Sequence, residues 1–403
     1  MRVIGMTRVA ARTQLIKPSV TLAIAAKAGK LRAEGVDVVN FSAGEPDFDT
    51  PEHIKSAAVD ALRKGMTKYT DVKGIESLRE AITEKYRREY GLDYRKEDVL
   101  VSCGAKHSVY NILQAVIDPG EEVVIPAPYW VSYSDMALLA GGQSKIIPTD
   151  ESNGFRMRPE QLESALTAKT RIFILNSPCN PTGATYSRDE LLIIGRILEK
   201  HDCLILSDDI YEKIVYGKFE VFNLVALNPK LRDRAILVNG VSKSYAMTGW
   251  RIGYALGPSE LISAAAKIQS QSTSNATSIA QAAALEALRG PQETVTQMAL
   301  EFEKRRDVIV EMLNSIPGIR CPKPQGAFYV FPNVSALFGK TSNGKQLTSP
   351  CDVADYFLEQ AKVAVVPGED FGSKEHIRFS YATSVEDIEK GCQRIKEAVE
   401  KLR

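Results

Sequence analysis

Histidine and tryptophan are scarce in this chain, with 4 of one and 2 of the other in 403 residues. His53, His107, His201 and His376 stand far apart without metal-ligand spacing, so solvated or core positions suit them better than a metal centre. Cysteine is thin as well. Cys103, Cys179, Cys203, Cys321, Cys351 and Cys392 form no C-x-x-C pair, which argues against a zinc site or disulfide framework and implies reduced thiols in a cytoplasmic setting. No stretch approaches the ~18 to 20 consecutive apolar residues of a membrane-spanning helix. Neither sign of charge is in excess: 51 Lys+Arg face 50 Asp+Glu, which excludes a surface built mainly for nucleic-acid phosphates. No acid precedes Glu34, and Arg2, Arg8, Arg12 and Lys17 precede or flank the short apolar stretch 20–26, so a targeting peptide has to be weighed. Pro18 and the shortness of that stretch count against secretion and leave organellar import open. Expected partners are small molecules, with neither nucleic acid nor membrane among them.

The chain has length for two or three domain-sized cores. Between 99 and 256, β-rich runs alternate with helical patterns: VLVSCG, EEVVIPAP, SKIIPTD, RIFILNSP, CLILSD, AILVNG and RIGYALG. Near-continuous apolar runs of this kind predict a mostly parallel sheet covered by helices on both faces, an α/β domain. Helices are predicted over 105–117 and 188–200. After Gly290 the texture changes to long amphipathic helices, 292–315 and 385–402, flanking short strands such as AFYVF and IRFSYA, which reads as a smaller α+β domain. The expected division is 1–45 as an N-terminal arm and part of the small domain, 46–290 as the large domain and 291–403 as the small one. Residues 1–45 carry no long periodic element, and the polar stretch 339–350 is the expected mobile loop.

Two nucleotide-binding signatures fail. No G-x-G-x-x-G follows a candidate strand. The segment Gly339-Lys340-Thr341-Ser342-Asn343-Gly344-Lys345-Gln346 nearly spells a P-loop, but Gln346 stands where a Ser or Thr must reach magnesium.

Four weak segments combine into one chemistry. In Ser242-Lys243-Ser244-Tyr245-Ala246-Met247-Thr248-Gly249-Trp250-Arg251, a lysine just past a strand can bond covalently to an aldehyde, and Arg251 can hold a phosphate through its planar fork. Alone, Lys243 could be an exposed loop lysine and Arg251 an interdomain ion pair. In Ser207-Asp208-Asp209-Ile210-Tyr211, a carboxylate can hold a protonated pyridine nitrogen and Tyr211 can donate to a phenolate; a metal ligand or helix cap is the alternative. Asn176-Ser177-Pro178-Cys179-Asn180-Pro181-Thr182-Gly183 presents the Asn180 amide, unless it is only a turn. In Ser102-Cys103-Gly104-Ala105-Lys106, a strand gives way to a helix whose free N–H groups make a phosphate seat.

With these segments in this order, the sequence resembles the fold-type I, pyridoxal-phosphate-dependent aminotransferases of class I, most closely the bacterial-type aspartate aminotransferases. The likeness runs from KPSVTLAI through FSAGEPDFDTPEHI, KYTDVKGI, PAPYWVSY, NSPCNPTG, SDDIY, SKSYAMTGWRIGY and QGAFYVF to IRFSYATS. The resemblance implies pyridoxal 5'-phosphate bonded to Lys243, with Asp208 against its ring nitrogen, Tyr211 and Asn180 on its phenolate oxygen and Trp130 stacked on its ring. Its phosphate would sit on Gly104, Ala105 and Lys106, with Ser242 and Arg251 adding donors. Tyr69 would reach the phosphate of a neighbouring subunit, implying a homodimer with shared active sites. Arg378 would grip the substrate α-carboxylate, supported by Asn180 and the Gly44 backbone. Lys106 would take the distal carboxylate, and Thr21 with Lys106 marks relatives that also accept prephenate.

The implied reaction is ping-pong transfer between aspartate or glutamate and 2-oxoglutarate. Asp209 stands where Glu is commoner, and Cys179 where Asn or Ser is; neither alters a group assigned to chemistry. Alternatives on the same scaffold are an aromatic aminotransferase and a lyase or γ-synthase. A regulatory relative would need a DNA-binding module, for which residues 1–45 read as too short.

Overall fold

The computed structural model describes residues 9–16 and 20–403, and of residues 20–22 and 25 the backbone alone. Each of the seven β-rich runs forms one strand of a single sheet: β1 (Val99–Ser102), β2 (Glu122–Pro126), β3 (Gln143–Ile147), β4 (Thr170–Asn176), β5 (Leu204–Asp208), β6 (Ala235–Gly240) and β7 (Gly253–Leu256). Their order across the sheet is β1-β7-β6-β5-β4-β2-β3. All are parallel except β7, which runs antiparallel to both neighbours.

Alternation explains why the runs look continuously apolar. Val99, Val101, Phe173, Leu175, Ile205 and Leu237 enter a core on one face, with Ile54, Ile82, Leu191 and Ile194 of the covering helices. The residues between them, Leu100, Ile172, Ile174, Leu206, Ile236 and Val238, enter a core on the other face with Val109, Ile112 and Ile262. Both faces are dry, so both sets of side chains are apolar.

A separate core lies in the C-terminal region. Phe302, Ile309 and Leu313 of the helix Glu293–Asn314 pack with Ile388, Cys392 and Ile395 of the helix Val385–Val399. Both helices stop short of their predicted ends, at Asn314 and Val399. Beneath them β8 (Tyr329–Val330), β9 (Val366–Pro367) and β10 (Ile377–Ser380) form a small antiparallel sheet in the order β9-β10-β8. Ile210, Tyr211 and Ile214, just past β5, belong to this core, so the chain leaving the large sheet is packed into the smaller unit.

The N-terminal region has no periodic stripe, as read, yet it contains a long element, the helix Val20–Ala33. Its alanine-rich sequence favours helix by intrinsic propensity, while its apolar residues are spread around the axis, so the periodic stripe that betrays most helices is absent. Ala28 buries against Val38, Leu358 and Ala364. The polar stretch 339–350 holds a short antiparallel pair, Thr341–Ser342 with Lys345–Gln346, rather than a strand feeding a helix as a P-loop requires. Among the described residues, no helix is long and apolar enough to cross a membrane. Nor, among them, do three or more His, Cys, Asp or Glu cluster as a metal site.

Candidate active site

Parallel strands end side by side, and what they carry at those ends is brought together. The β4–β5–β6 register sets Asn176 beside Asp208 and Asp208 beside Val238, with Lys243 three residues past the end of β6. These residues open on a cavity of about 620 Å³. Its wall includes Gly44, Ala105, Lys106, Trp130, Asn180, Asp208, Tyr211, Ser242, Lys243, Arg251 and Arg378, which unites eleven of the fourteen residues singled out in the sequence.

Asp208 is buried, and the Tyr133 hydroxyl donates to its Oδ2 at 2.6 Å while the Ile210 N–H donates to Oδ1 at 3.3 Å. Burial pushes its carboxyl up to about 6, against those two hydrogen bonds and the charge of Lys243. Asn176 braces the strand end by donating to the Asp208 carbonyl at 2.9 Å. Lys243 Nζ donates to the Gly44 carbonyl at 2.6 Å. Burial pulls this amine down to about 8, opposed by the nearby Glu45 and reinforced by Arg251 and Arg378. An amine so shifted is far easier to obtain neutral, as a nucleophile must be.

Arg378 forms the opposite wall. Its Nη1 donates to Asn180 Oδ1 at 3.1 Å and its Nη2 to the Ser42 carbonyl at 2.8 Å, while its guanidinium lies 4.7 Å from the Tyr329 ring centre and 5.1 Å from that of Phe371. Among the described residues its buried Nε has no partner. Tyr211 shares a hydrogen bond of 2.9 Å with the Tyr329 hydroxyl. Lys106 Nζ stands 5.0 Å over the Trp130 ring, and burial with the charge of Arg251 lowers its pKa.

The junction of β1 with the helix Ala105–Val116 fits an anion. Gly104 has φ +88°, and a Cβ there would collide with the Arg251 guanidinium; a Cβ at Gly253 would run into the backbone nitrogen of Ala105. Arg251, itself left-handed at φ +56°, is held by the Thr248 carbonyl at 2.8 Å and that of Cys103 at 3.2 Å. A cation thus faces the amide-rich start of a helix.

Gly104 shapes this seat without lining the cavity. Tyr69 does not line the cavity of its own chain and is 90% exposed. Thr21 falls in the helix Val20–Ala33, and its side chain lies outside the described residues. Sequence reasoning missed Tyr133, Tyr329, Phe371 and the bond from Lys243 to Gly44. Both tyrosines lie in motifs quoted for the resemblance, but which hydroxyl of PAPYWVSY reaches Asp208 depends on how the helix Ser132–Leu139 meets β5.

A parallel-sheet α/β fold with a recessed lysine, a buried acid and a buried arginine around one cavity defines a carbonyl-handling enzyme for small carboxylates. Residues 36–395 match the family model of class I and II aminotransferases. The chain is 51% identical over 383 residues to the aspartate/prephenate aminotransferase of Cereibacter sphaeroides, covering 94% of this chain and 96% of that protein. It is 47% identical over 397 residues to the aspartate aminotransferase of Geobacillus stearothermophilus, covering 98% and 99%. The aspartate aminotransferase structure from Rhizobium meliloti superposes with a TM-score of 0.96 at 46% identity, over 99% of this chain and 100% of that one. The Thermus thermophilus enzyme with maleate does so at 0.92 and 43%, over 98% and 100%. The chain belongs to the class I and II aminotransferase family, and its fold is that of the aspartate aminotransferases.

Proposed function

We propose that this chain binds pyridoxal 5'-phosphate through Lys243 and transfers the amino group between aspartate or glutamate and 2-oxoglutarate in two half-reactions, accepting prephenate as a further oxo acid. The observation that carries the reading is the convergence of Lys243, Asp208 and Arg378 on one cavity with an anion seat at Gly104–Ala105. When bound, the cofactor supplies an aldehyde for the amine and a ring that delocalises the electron pair left on the substrate α-carbon.

In this reading the chain's own groups divide the work. Asp208 holds the proton on the ring nitrogen; removing that acid from water weakens its hold on its own charge, which a cationic partner restores. Trp130 covers the ring, Tyr211 and Asn180 hydrogen-bond its phenolic oxygen, and Ala105, Lys106, Ser242 and Arg251 hold the phosphate. Lys243, with its amine free, would take the α-proton at Nζ and would give it to the cofactor's aldehyde carbon, on the far side of the substrate nitrogen. Arg378 orients the α-carboxylate with Asn180 and Gly44. Lys106 receives the distal carboxylate, a role supported by its place in the cavity wall over Trp130. Thr21 joins it for prephenate.

The reading includes a homodimer in which Tyr69 completes the partner's phosphate site, supported by the exposure of Tyr69 and of Val59 and Leu62 on the helix Glu52–Arg63. It also takes 46–290 as the cofactor-binding domain and 1–45 with 291–403 as the arm and small domain, supported by the separate cores and the packing of Ala28 against Leu358. A cytoplasmic setting is supported by six cysteines free of disulfides. The test is purified protein assayed with the glutamate couple against oxaloacetate, prephenate and aromatic oxo acids. Turnover confined to aromatic oxo acids, or turnover with no amino acceptor, would replace this reading.

A further inference from the structure

Residues two apart in a strand point to the same side, about 6.7 Å from one another. On β10 one such pair is Arg378 and, at the residue just before the strand, His376. Arg378 bonds Asn180, which follows β4, and His376 Nε2 meets Oε1 of Glu151, which follows β3, at 2.5 Å. One short strand of the C-terminal unit is therefore fastened twice on the same side to the sheet-bearing unit. β10 is the central strand of its small sheet and is paired on both edges, so what two successive attachments fix is the seat of that sheet against the larger unit.

The surroundings hold this second attachment rigidly. His376 is 6% exposed, with its ring stacked on Phe331 at 5.0 Å and 9° and meeting the edge of Phe155 at 5.2 Å and 80°. Its Nδ1 is 2.7 Å from Ser373 Oγ. A neutral imidazole satisfies both neighbours, donating from Nε2 to Glu151 and accepting at Nδ1 from the Ser373 hydroxyl. Glu151 is gripped from its other side by Arg320, at 2.8 Å through Nε and 2.7 Å through Nη2. Glu151 and His376 line a groove at the seam, apart from the cavity that holds Lys243. Two phenylalanine rings flank position 376, so an apolar side chain would pack there without the desolvation that an acid–imidazole contact costs.

We propose that Glu151 and His376 are a positioning pair for Arg378: they fix how the small sheet seats against the larger unit, and hence where the Arg378 guanidinium stands toward the substrate carboxylate. This rests on Arg378 being the carboxylate grip, as proposed above. The test compares holoenzyme variants with wild type in transamination. His376→Phe keeps the ring stack and loses both hydrogen bonds; KM for the amino acid and for the oxo acid should each rise about tenfold, the loss expected of one hydrogen bond to a charged group. Turnover at saturation should stay within about twofold, and the visible absorbance of the bound cofactor should not move. Glu151→Gln, nearer the surface and gentler on folding, should raise both KM values about threefold. The double variant should fall well short of the combined single losses, because the two residues share one contact and the Arg320 bond to Glu151 lies outside it. Unchanged KM values in Glu151→Gln, or losses that add in the double variant, would overturn the pair. Wild-type enzyme without transamination would instead remove the function proposed above, so the two failures are distinguishable.

Discussion

The two walls of the cavity are built by different means. On the sheet side, Asn176, Asp208 and the approach to Lys243 stand at the ends of long parallel ladders, where backbone register fixes each position. On the C-terminal side, Tyr329 and Arg378 ride on strands of two and four residues in a small sheet of their own, and what ties that sheet to the cavity is side-chain contact: Arg378 to Asn180 and Ser42, Tyr329 to Tyr211, His376 to Glu151. The difference teaches where damage should be all-or-none and where it should be graded. In the proposed function, groups placed by the ladder carry the covalent chemistry, and groups placed by side chains tune the grip on substrate.

The largest effect should come from the ladder side. Asp208→Asn should lower turnover about 10³-fold, the rate equivalent of the ~4 kcal/mol that breaking a buried charge pair costs. Steady-state rates alongside the cofactor absorbance check this; a loss below tenfold would show that Asp208 does not face the ring nitrogen.

Next comes the opposite wall. Arg378→Ala should raise KM for donor and acceptor about 10² to 10³-fold while the cofactor stays bound, and Arg378→Lys should fall between, because an ammonium keeps the charge but loses the two-pronged fork. Full loss of bound cofactor in both would mean that the C-terminal wall is not graded at all.

A smaller, selective effect belongs to Lys106. Lys106→Ala should cut kcat/KM for dicarboxylic substrates about 10 to 100-fold and for monocarboxylic ones within about threefold, as expected for one ion pair. Equal losses would take the distal carboxylate elsewhere.

The mildest test is the stability of protein stripped of cofactor. Asp208 is raised from its ordinary 3.8 to about 6, so the folded state holds a proton that the unfolded chain releases, and stability falls as pH climbs between those values. Lys243 is lowered from 10.5 to about 8, so the unfolded chain binds the extra proton and stability rises from pH 8 to 10.5. Each contributes on the order of 3 kcal/mol. Thermal melts should therefore show a trough between about pH 6 and 8. A flat profile would mean that neither group is buried with its charge.

Legibility in the sequence follows the same division. The seven strands could be read because a sheet covered on both faces needs apolar residues at successive positions. Lys243, Asp208 and Asn180 could be read because each sits at or just past a strand end, in a turn of distinctive composition. The helix Val20–Ala33 could not, since its apolar residues follow no stripe. Tyr133 and Tyr329 were invisible as site residues because a tyrosine in a core-facing position looks alike whether its hydroxyl meets a carboxylate, another tyrosine or a carbonyl. His376 read as a core or solvated histidine, and it is buried; its contact with Glu151, 225 residues away in the chain, exists only once the two units meet.

In the proposed function the Lys243 amine carries the cofactor. Reducing the holoenzyme with borohydride fixes any lysine–cofactor bond, and peptide mass measurement then locates it. The added cofactor mass is expected on the single peptide containing Lys243. The same mass on a peptide containing Lys106 instead, or on none, would contradict it.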